Sequence, residues 1–265
     1  MLQVQKDKLV YLCAESIETP HCFTTRLGGV SQGDLSSMNI GTGRGDSEEN
    51  VLKNYEILGK ALNFDTNKLV LTKQTHTDTV RVVTEKDWGR GLSKAPFSPC
   101  DGLITNTPGT ALVVFTADCT PIVLWDEKTG AVGAVHAGWR GTAQDIAGKA
   151  VAAMQENFGC NPAHIRAAIG PNIGLCCFET DADVPQAMIS ALGEDAKPFI
   201  RARGNKFHVD LKQLNALWLR RSGVSNIEIS EHCTACSSEL FWSHRVTKGE
   251  RGSQGAVILC KGGRI

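Results

Sequence analysis

The sequence predicts one α+β domain spanning residues 1–265, and three observations carry that prediction. Short β-like runs alternate with segments of helical period along the whole chain. No internal repeat, low-complexity tract or linker divides it. Hydrophobic residues make up 42% and charged residues 21%, which supports a buried core and excludes the disordered class. Length alone would allow one core or two joined halves.

In chain order, residues 9–12 and 21–24 read as strands, and Arg26-Leu27-Gly28-Gly29-Val30-Ser31 reads as a turn. A helix follows: Asp46 or Ser47 caps it, Glu48 and Glu49 suit its first turn, and Val51, Tyr55, Leu58 and Leu62 recur at helical spacing. Residues 69–71, 80–83, 103–104, 111–115, 122–125 and 131–135 are short β-like runs that together suggest a central sheet. Ile146, Ala150, Met154 and Phe158 form one stripe of a second helix, with Gly159 as its stop and Gly138-Trp139-Arg140-Gly141 directly before it. A strand at 165–169, helices at 181–192 and 211–221, and strands at 227–230 and 256–259 complete the pattern.

The 28 basic and 28 acidic side chains cancel, so the electrostatic drive for nucleic-acid binding is missing, while a small anion in a local basic pocket stays possible. Charges occupy the N-terminal stretch where an export signal would be apolar, and apolar runs are strand-sized. The expectation is a cytoplasmic protein with no membrane or nucleic-acid partner; oligomeric state is not legible. Ten scattered cysteines read as reduced thiols, most of them small buried hydrophobes.

Three segments place a Cys or His at a strand end beside turn-forming residues: Gln74-Thr75-His76-Thr77-Asp78, Ala117-Asp118-Cys119-Thr120-Pro121 and Val135-His136-Ala137-Gly138-Trp139-Arg140-Gly141. Two imidazoles and a thiolate satisfy Zn²⁺ and leave a fourth position open, at a spacing too wide for a zinc finger. Ordinary strand-end polar residues are the competing reading. Asp78 and Asp101 suit capping or turn roles better than catalysis, and Gln74 suits a ligand contact or a strand hydrogen bond equally.

These segments, with Thr24-Thr25-Arg26-Leu27-Gly28-Gly29-Val30-Ser31, Asn39-Ile40-Gly41, Cys100-Asp101-Gly102 and Ala168-Ile169-Gly170-Pro171, strongly resemble the bacterial YfiH family, also called the laccase-domain or purine nucleoside phosphorylase family. The resemblance runs from about residue 20 to about residue 245. It implies layered sheets flanked by helices, a zinc site at His76, Cys119 and His136 with copper also possible, and activity on purine nucleosides and phosphate. The implied reactions are phosphorolysis of adenosine, inosine and methylthioadenosine, and hydrolytic deamination of adenosine. Deamination needs a carboxylate to shuttle protons, and Asp118 beside Cys119 is the candidate. The usual deaminase pattern, His-x-Glu with Pro-Cys-x-x-Cys, is absent. Phosphorolysis needs an anion site, for which Arg140 at a helix start and Arg26 in the glycine-rich turn are candidates, against turn geometry and a surface ion pair.

Cys233-Thr234-Ala235-Cys236 is a lone Cys-x-x-Cys with no second pair evident for a zinc knuckle, and Cys176-Cys177 reads as packing. Where the family has Phe-Phe-Ser-Tyr-Arg-Arg, this chain reads Phe241-Trp242-Ser243-His244-Arg245-Val246, keeping Arg245 but not its neighbours. Two rival functions remain. A copper-dependent polyphenol oxidase would need about ten histidines; the chain has seven and no His-x-His. An amide hydrolase acting on peptidoglycan precursors would use Cys119 as nucleophile and His136 as base.

Overall fold

Strands that bury both faces read as unbroken apolar runs, and most strands of this chain do so. The computed structural model describes residues 1–263. The first half holds β1 (Leu2–Lys6), β2 (Leu9–Cys13), β3 (His21–Thr24), α1 (Glu48–Leu62), β4 (Leu69–Leu71), β5 (Val80–Val82), β6 (Gly102–Thr105), β7 (Ala111–Thr116), β8 (Thr120–Asp126) and β9 (Val132–Ala137). After these come α2 (Trp139–Ala143), α3 (Ile146–Phe158), β10 (Ile165–Ile169), β11 (Glu179–Thr180), α4 (Asp183–Leu192), β12 (Ile200–Arg203) and β13 (Lys206–Val209). The chain closes with α5 (Leu211–Arg221), β14 (Asn226–Ile229), α6 (His244–Thr247) and β15 (Gln254–Leu259).

Two six-stranded sheets result, ordered β1-β2-β3-β15-β7-β4 and β14-β10-β8-β9-β6-β5, with a small sheet β11-β13-β12 beside them. Between the large sheets, Leu12, Phe23, Leu112 and Val114 meet Leu103, Val123, Val132 and Ala134. The alternate residues point outwards. Leu69, Leu71 and Val113 pack under Tyr55 and Leu58 of α1, and Ile122, Leu124 and Val135 pack under Ile146 and Met154 of α3 and Leu219 of α5. Period-two alternation thus feeds two cores from one strand and builds helix, sheet, sheet, helix layers.

The runs from 69 to 135 do not form one central sheet: β4 and β7 belong to the first, and β5, β6, β8 and β9 to the second. Apolar runs report burial on both faces, not which sheet covers them. The helix expected straight after residues 138–141 is two helices. The short α2 starts at Trp139, and α3 begins at Ile146 after Asp145, whose left-handed backbone (φ 57°) breaks the run and caps α3. The other helices stand near their expected bounds; Ser47 caps α1 by accepting from Asn50 N–H, and Gly159 ends α3 at φ 65°. Strands β1, β11, β12 and β13 and the short helix α6 have no counterpart in the sequence reading. No helix of the described residues is long and apolar enough to cross a membrane.

Candidate metal centre

The chain crosses between the two large sheets at one rim of the sandwich. Residues 117–119 carry it from β7 to β8, and residues 72–79 carry it from β4 to β5. Cys119 lies on the first crossing and His76 on the second. His136, near the end of β9, shares the sandwich-facing side with Val132 and Ala134. Residues Thr120 and Ala137 are the last β8–β9 pair, so Cys119 and Gly138 sit opposite one another just beyond it. A Cβ at Gly138 would lie 2.6 Å from His76 Cδ2 and 3.3 Å from Cys119 Sγ, so only glycine lets α2 start against the trio.

Cys119 Sγ is 3.8 Å from His76 Nε2, the two imidazoles meet edge to face at 5.0 Å, and the ligand atoms of His76, Cys119 and His136 all lie within 4.8 Å of one another. A tetrahedral zinc with ordinary Zn–N and Zn–S bonds would separate N from S by about 3.6 Å. The observed spacing therefore fits a shared ion with side-chain adjustment alone. His136 is buried, whereas His76 is exposed and Cys119 is half-buried, which leaves the open position facing outwards.

Asp101, read from sequence as a turn residue, organises the centre. Its fully buried carboxylate sits 2.7 Å from His136 Nδ1 and accepts from the backbone N–H groups of Thr75, His76 and Thr77 and from the Thr77 hydroxyl. With Nδ1–H donating to Asp101, Nε2 is left free as a ligand. The same nest of N–H groups holds His76 at φ 64°, a conformation that costs a side-chain-bearing residue about 1–2 kcal/mol.

Charge follows geometry. Burial pushes the Asp101 carboxyl up, but His136 and Thr77 outweigh it and hold it at about 2. Burial opposes charge on Cys119 and His136 as well. The imidazolium of His136, with hydrogen bonds from both histidines, nevertheless brings the Cys119 thiol down to about 6, while the thiolate and Asp101 raise His136 to about 9. The protein thus prepares a thiolate at neutral pH, the state a metal ligand requires, while His136 is the imidazolium until a metal displaces its Nε2 proton.

A cleft of about 380 Å³ opens beside His76 and Cys119, with Arg44, Phe178, His244, Arg245 and Arg251 among its lining. Arg44 and Arg251 also line a smaller recess of about 110 Å³ that reaches His136. Burial, then the neighbouring Arg44, pull Arg251 down to about 10, and its buried Nε has no protein acceptor. Gln74 lines that recess, but its amide is spent on both backbone groups of Phe115, the strand-type bond it equally suited.

Of the three expected catalytic residues, only Asp118 borders the cleft. Arg140 is exposed on α2 with its guanidinium over the Trp139 ring, 4.2 Å from its centre. Arg26 donates to the carbonyls of Ser36 and Ser238 and stacks on Trp242 at 3.9 Å, so it clamps the C-terminal segment. Neither is among the residues lining the cleft. Asp118 does line it, but one oxygen accepts from the Thr234 hydroxyl and the other from the Ser243 hydroxyl and Arg245 N–H. Its hydrogen bonds support a positioning role rather than the expected proton shuttle. Asp78 pairs with Lys149 of α3. Arg44 and Arg251 were not singled out in the sequence, where the available signal is glycine on both sides of Arg44, in Gly43-Arg44-Gly45, and after Arg251, in Arg251-Gly252.

Residues 20–261 match a family described as multi-copper polyphenol oxidoreductase laccase. The chain belongs to this laccase-domain family. Among its relatives is the purine nucleoside phosphorylase YlmD of Geobacillus stearothermophilus, 38% identical over 240 residues that cover 89% of this chain and 88% of YlmD. Adenosine deaminase RL5, from an unknown prokaryotic organism, is 35% identical over 249 residues, 91% of this chain and 94% of RL5. The crystal structure of YlmD from G. stearothermophilus superposes with a TM-score of 0.90 at 35% identity, covering 99% of both chains. The layered laccase-domain fold is the one expected from the YfiH resemblance. The family's description does not extend to a four-copper centre in this chain. Among the described residues only His76 and His136, of the seven histidines, meet in a ligand cluster, and buried His21 spends its ring nitrogens on Ala14 N–H and Thr19 C=O.

Proposed function

We propose that the chain is a zinc-dependent purine nucleoside enzyme that carries out phosphorolysis of adenosine, inosine and methylthioadenosine, and hydrolytic deamination of adenosine, in the cleft beside Cys119. The observation that carries this reading is the placement of a His76–Cys119–His136 ligand set next to Arg44 and Arg251, two cations that share a recess in which neither makes an ion pair with a carboxylate of the described residues. Adjacent guanidiniums repel one another, and a phosphate placed between them relieves that repulsion while filling the vacant Arg251 Nε–H. The names carried by YlmD and RL5 point to the same substrate class.

Zinc held by the trio would supply a Lewis acid. The chain's own side chains do the rest. Arg44 and Arg251 bring phosphate to the ribose as positive charge grows on the anomeric carbon, and Phe178 offers the purine an apolar wall. His244 and Arg245, which depart in part from the family pattern, border the same cleft and tune substrate preference. Asp118 fixes that border through Ser243 and Arg245.

The test is the phosphate dependence of inosine cleavage, with free base and sugar phosphate followed by chromatography. Arg251→Ala is expected to raise the phosphate concentration needed for half-saturation at least about tenfold, equivalent to losing one charge-assisted contact. Arg140→Ala is expected to leave it unchanged. Unaltered phosphate saturation in Arg251→Ala would remove the anion assignment.

A second reading is favoured by one observation: Cys119, His136 and Asp101 also form a thiolate, imidazolium and carboxylate series. That series suits an amide hydrolase acting on peptidoglycan precursors. Chelation separates the readings, since a thiol nucleophile keeps its activity when zinc is stripped and the proposed nucleoside chemistry does not.

A further inference from the structure

The loops after β10 and β14 bring together four thiols that lie apart in sequence. Asn172 pairs with Cys233 in an isolated parallel bridge, Thr234 N–H donates to Asn172 C=O at 2.9 Å, and Gly174 N–H points at Cys233 Sγ at 3.2 Å. This pairing sets Cys176-Cys177 against the Cys233-x-x-Cys236 turn. Cys236 Sγ lies 3.5 Å from Cys176 Sγ and 3.4 Å from Cys177 Sγ, and all four sulfurs fall within 4.8 Å of one another. In a tetrahedral ZnS₄ site with Zn–S of about 2.3 Å, the sulfurs stand about 3.8 Å apart. The four sulfurs are therefore close enough to share one tetrahedral ion, and Cys236 is as close to one neighbour as to the other, which suits a shared ion better than one bonded pair.

A second feature agrees. Lys212 at the start of α5 is only 6% exposed, and its ammonium donates to the neutral carbonyls of Ser230 and His232 at 2.7 Å each, the latter directly before Cys233. Burial works against its charge; Asp210 offsets this most, with Cys233 and Cys176 next, so negative charge gathered on these thiols stabilises it further. Four thiolates around one zinc ion leave a dianionic centre. Arg245 adds a second cation at the other side, donating to the carbonyls of Cys177 and Glu179.

We propose that Cys176, Cys177, Cys233 and Cys236 form a closed tetrathiolate zinc site, separate from the His76–Cys119–His136 centre. Each thiol releases its proton to solvent as the metal binds, and no redox step is involved. Cys176 and Cys236 are exposed, so the ion has a path in. The site staples two loops that reach the cleft: Thr234 between the paired cysteines donates to Asp118, and Phe178 directly after Cys177 lines the cleft wall. It is a structural site in the sense that every tetrahedral position is taken by sulfur.

The experiment measures zinc per chain by elemental analysis in the full-length protein purified under reducing conditions, in Cys233→Ser/Cys236→Ser, and in His76→Ala/Cys119→Ala. The expected pattern is one zinc lost in each double variant relative to wild type. In His76→Ala/Cys119→Ala, cobalt substitution is expected to give the strong thiolate charge-transfer absorption of a tetrahedral sulfur site. That variant carries the test if the cysteine variant does not fold. Absence of both zinc and the cobalt spectrum in it overturns the proposal, as does a wild-type mass two hydrogens light with a disulfide mapped among these four cysteines. Failure of the trio to bind metal is a different outcome: wild type would then hold one zinc that only the Cys233/Cys236 variant loses.

Discussion

Asp101 shows how much one side chain can decide. It accepts from His136 and from the backbone on both sides of His76, so the positions of two candidate ligands depend on a single carboxylate. Asp101→Asn keeps the shape and removes the charge that orients and polarises His136. Outer partners of this kind are worth about 10–100-fold in metal affinity, and that is the expected loss of zinc affinity in competition with a chromophoric chelator. Affinity equal to wild type would show that Asp101 only shapes the loop. The candidate trio was picked out in sequence as Cys or His at strand ends beside turn residues, a weak pattern on its own that the family resemblance made specific. Asp101 was visible as Cys100-Asp101-Gly102, but its role was not, since its partner His136 lies 35 residues away across β6 and β9. Arg26 and Arg140 were read as anion-site candidates from their glycine-rich surroundings, whereas the carbonyls and aromatic faces that meet them are brought there by tertiary structure.

At the scale of elements, α3 carries an unusual cap. Asp145 accepts from Gly148 N–H at 2.9 Å while its own backbone is left-handed, and burial raises its carboxyl to about 6 against the opposing pull of that bond and Lys149. The folded chain thus holds a proton between about pH 4 and 6 that the unfolded chain has released, so this group stabilises the fold at the acid end and its contribution is lost as pH rises through about 6. Asn caps as well as Asp and tolerates the left-handed region. Asp145→Asn is expected to gain about 1 kcal/mol at pH 7.5, after allowing for solvent screening of a part-exposed group, and to flatten stability between about pH 4 and 6. Asp145→Ala is expected to lose about 1 kcal/mol or more through the missing cap. Urea unfolding at both pH values measures this, and an Asn variant as weak as the Ala variant would mean that the charge carries no cost. Helix α1 was readable from its cap and stripe and α3 from its stripe and its Gly159 stop, while the Asp145 cap of α3 was not. Strands β1 and β12 were not, since each is only four or five residues long and largely exposed, so the alternation of Leu2 with Val4 and of Ile200 with Ala202 is too short to stand out.

For the molecule as a whole, the order of the first sheet places its last strand in the middle. β15 pairs with β3 through Phe23–Ala256, Cys22–Val257 and His21–Ile258, and with β7 along its whole length from Gln254–Thr116 to Leu259–Ala111. Nothing in the sequence announces this, because β15 lies far along the chain from both β3 and β7 and apolar alternation carries no address. The strand is seated closely: a Cβ at Gly255 would come within 2.0 Å of the Val114 carbonyl oxygen. Its neighbour Gln254 exchanges two hydrogen bonds with the backbone of Trp242, on which Arg26 stacks, so β15 also holds the segment that borders the cleft. Removing β15 would split the sheet into β1-β2-β3 and β7-β4 and expose Val257, Ile258 and Leu259, each worth about 1.5–3 kcal/mol of burial. Together those three side chains alone are comparable with the net stability of about 5–15 kcal/mol that a domain possesses. A chain ending at Ser253 is therefore expected to lose its near-ultraviolet circular dichroism and to show no cooperative thermal transition. A truncated chain that melts cooperatively near the wild-type temperature would show that the first sheet closes without its final strand.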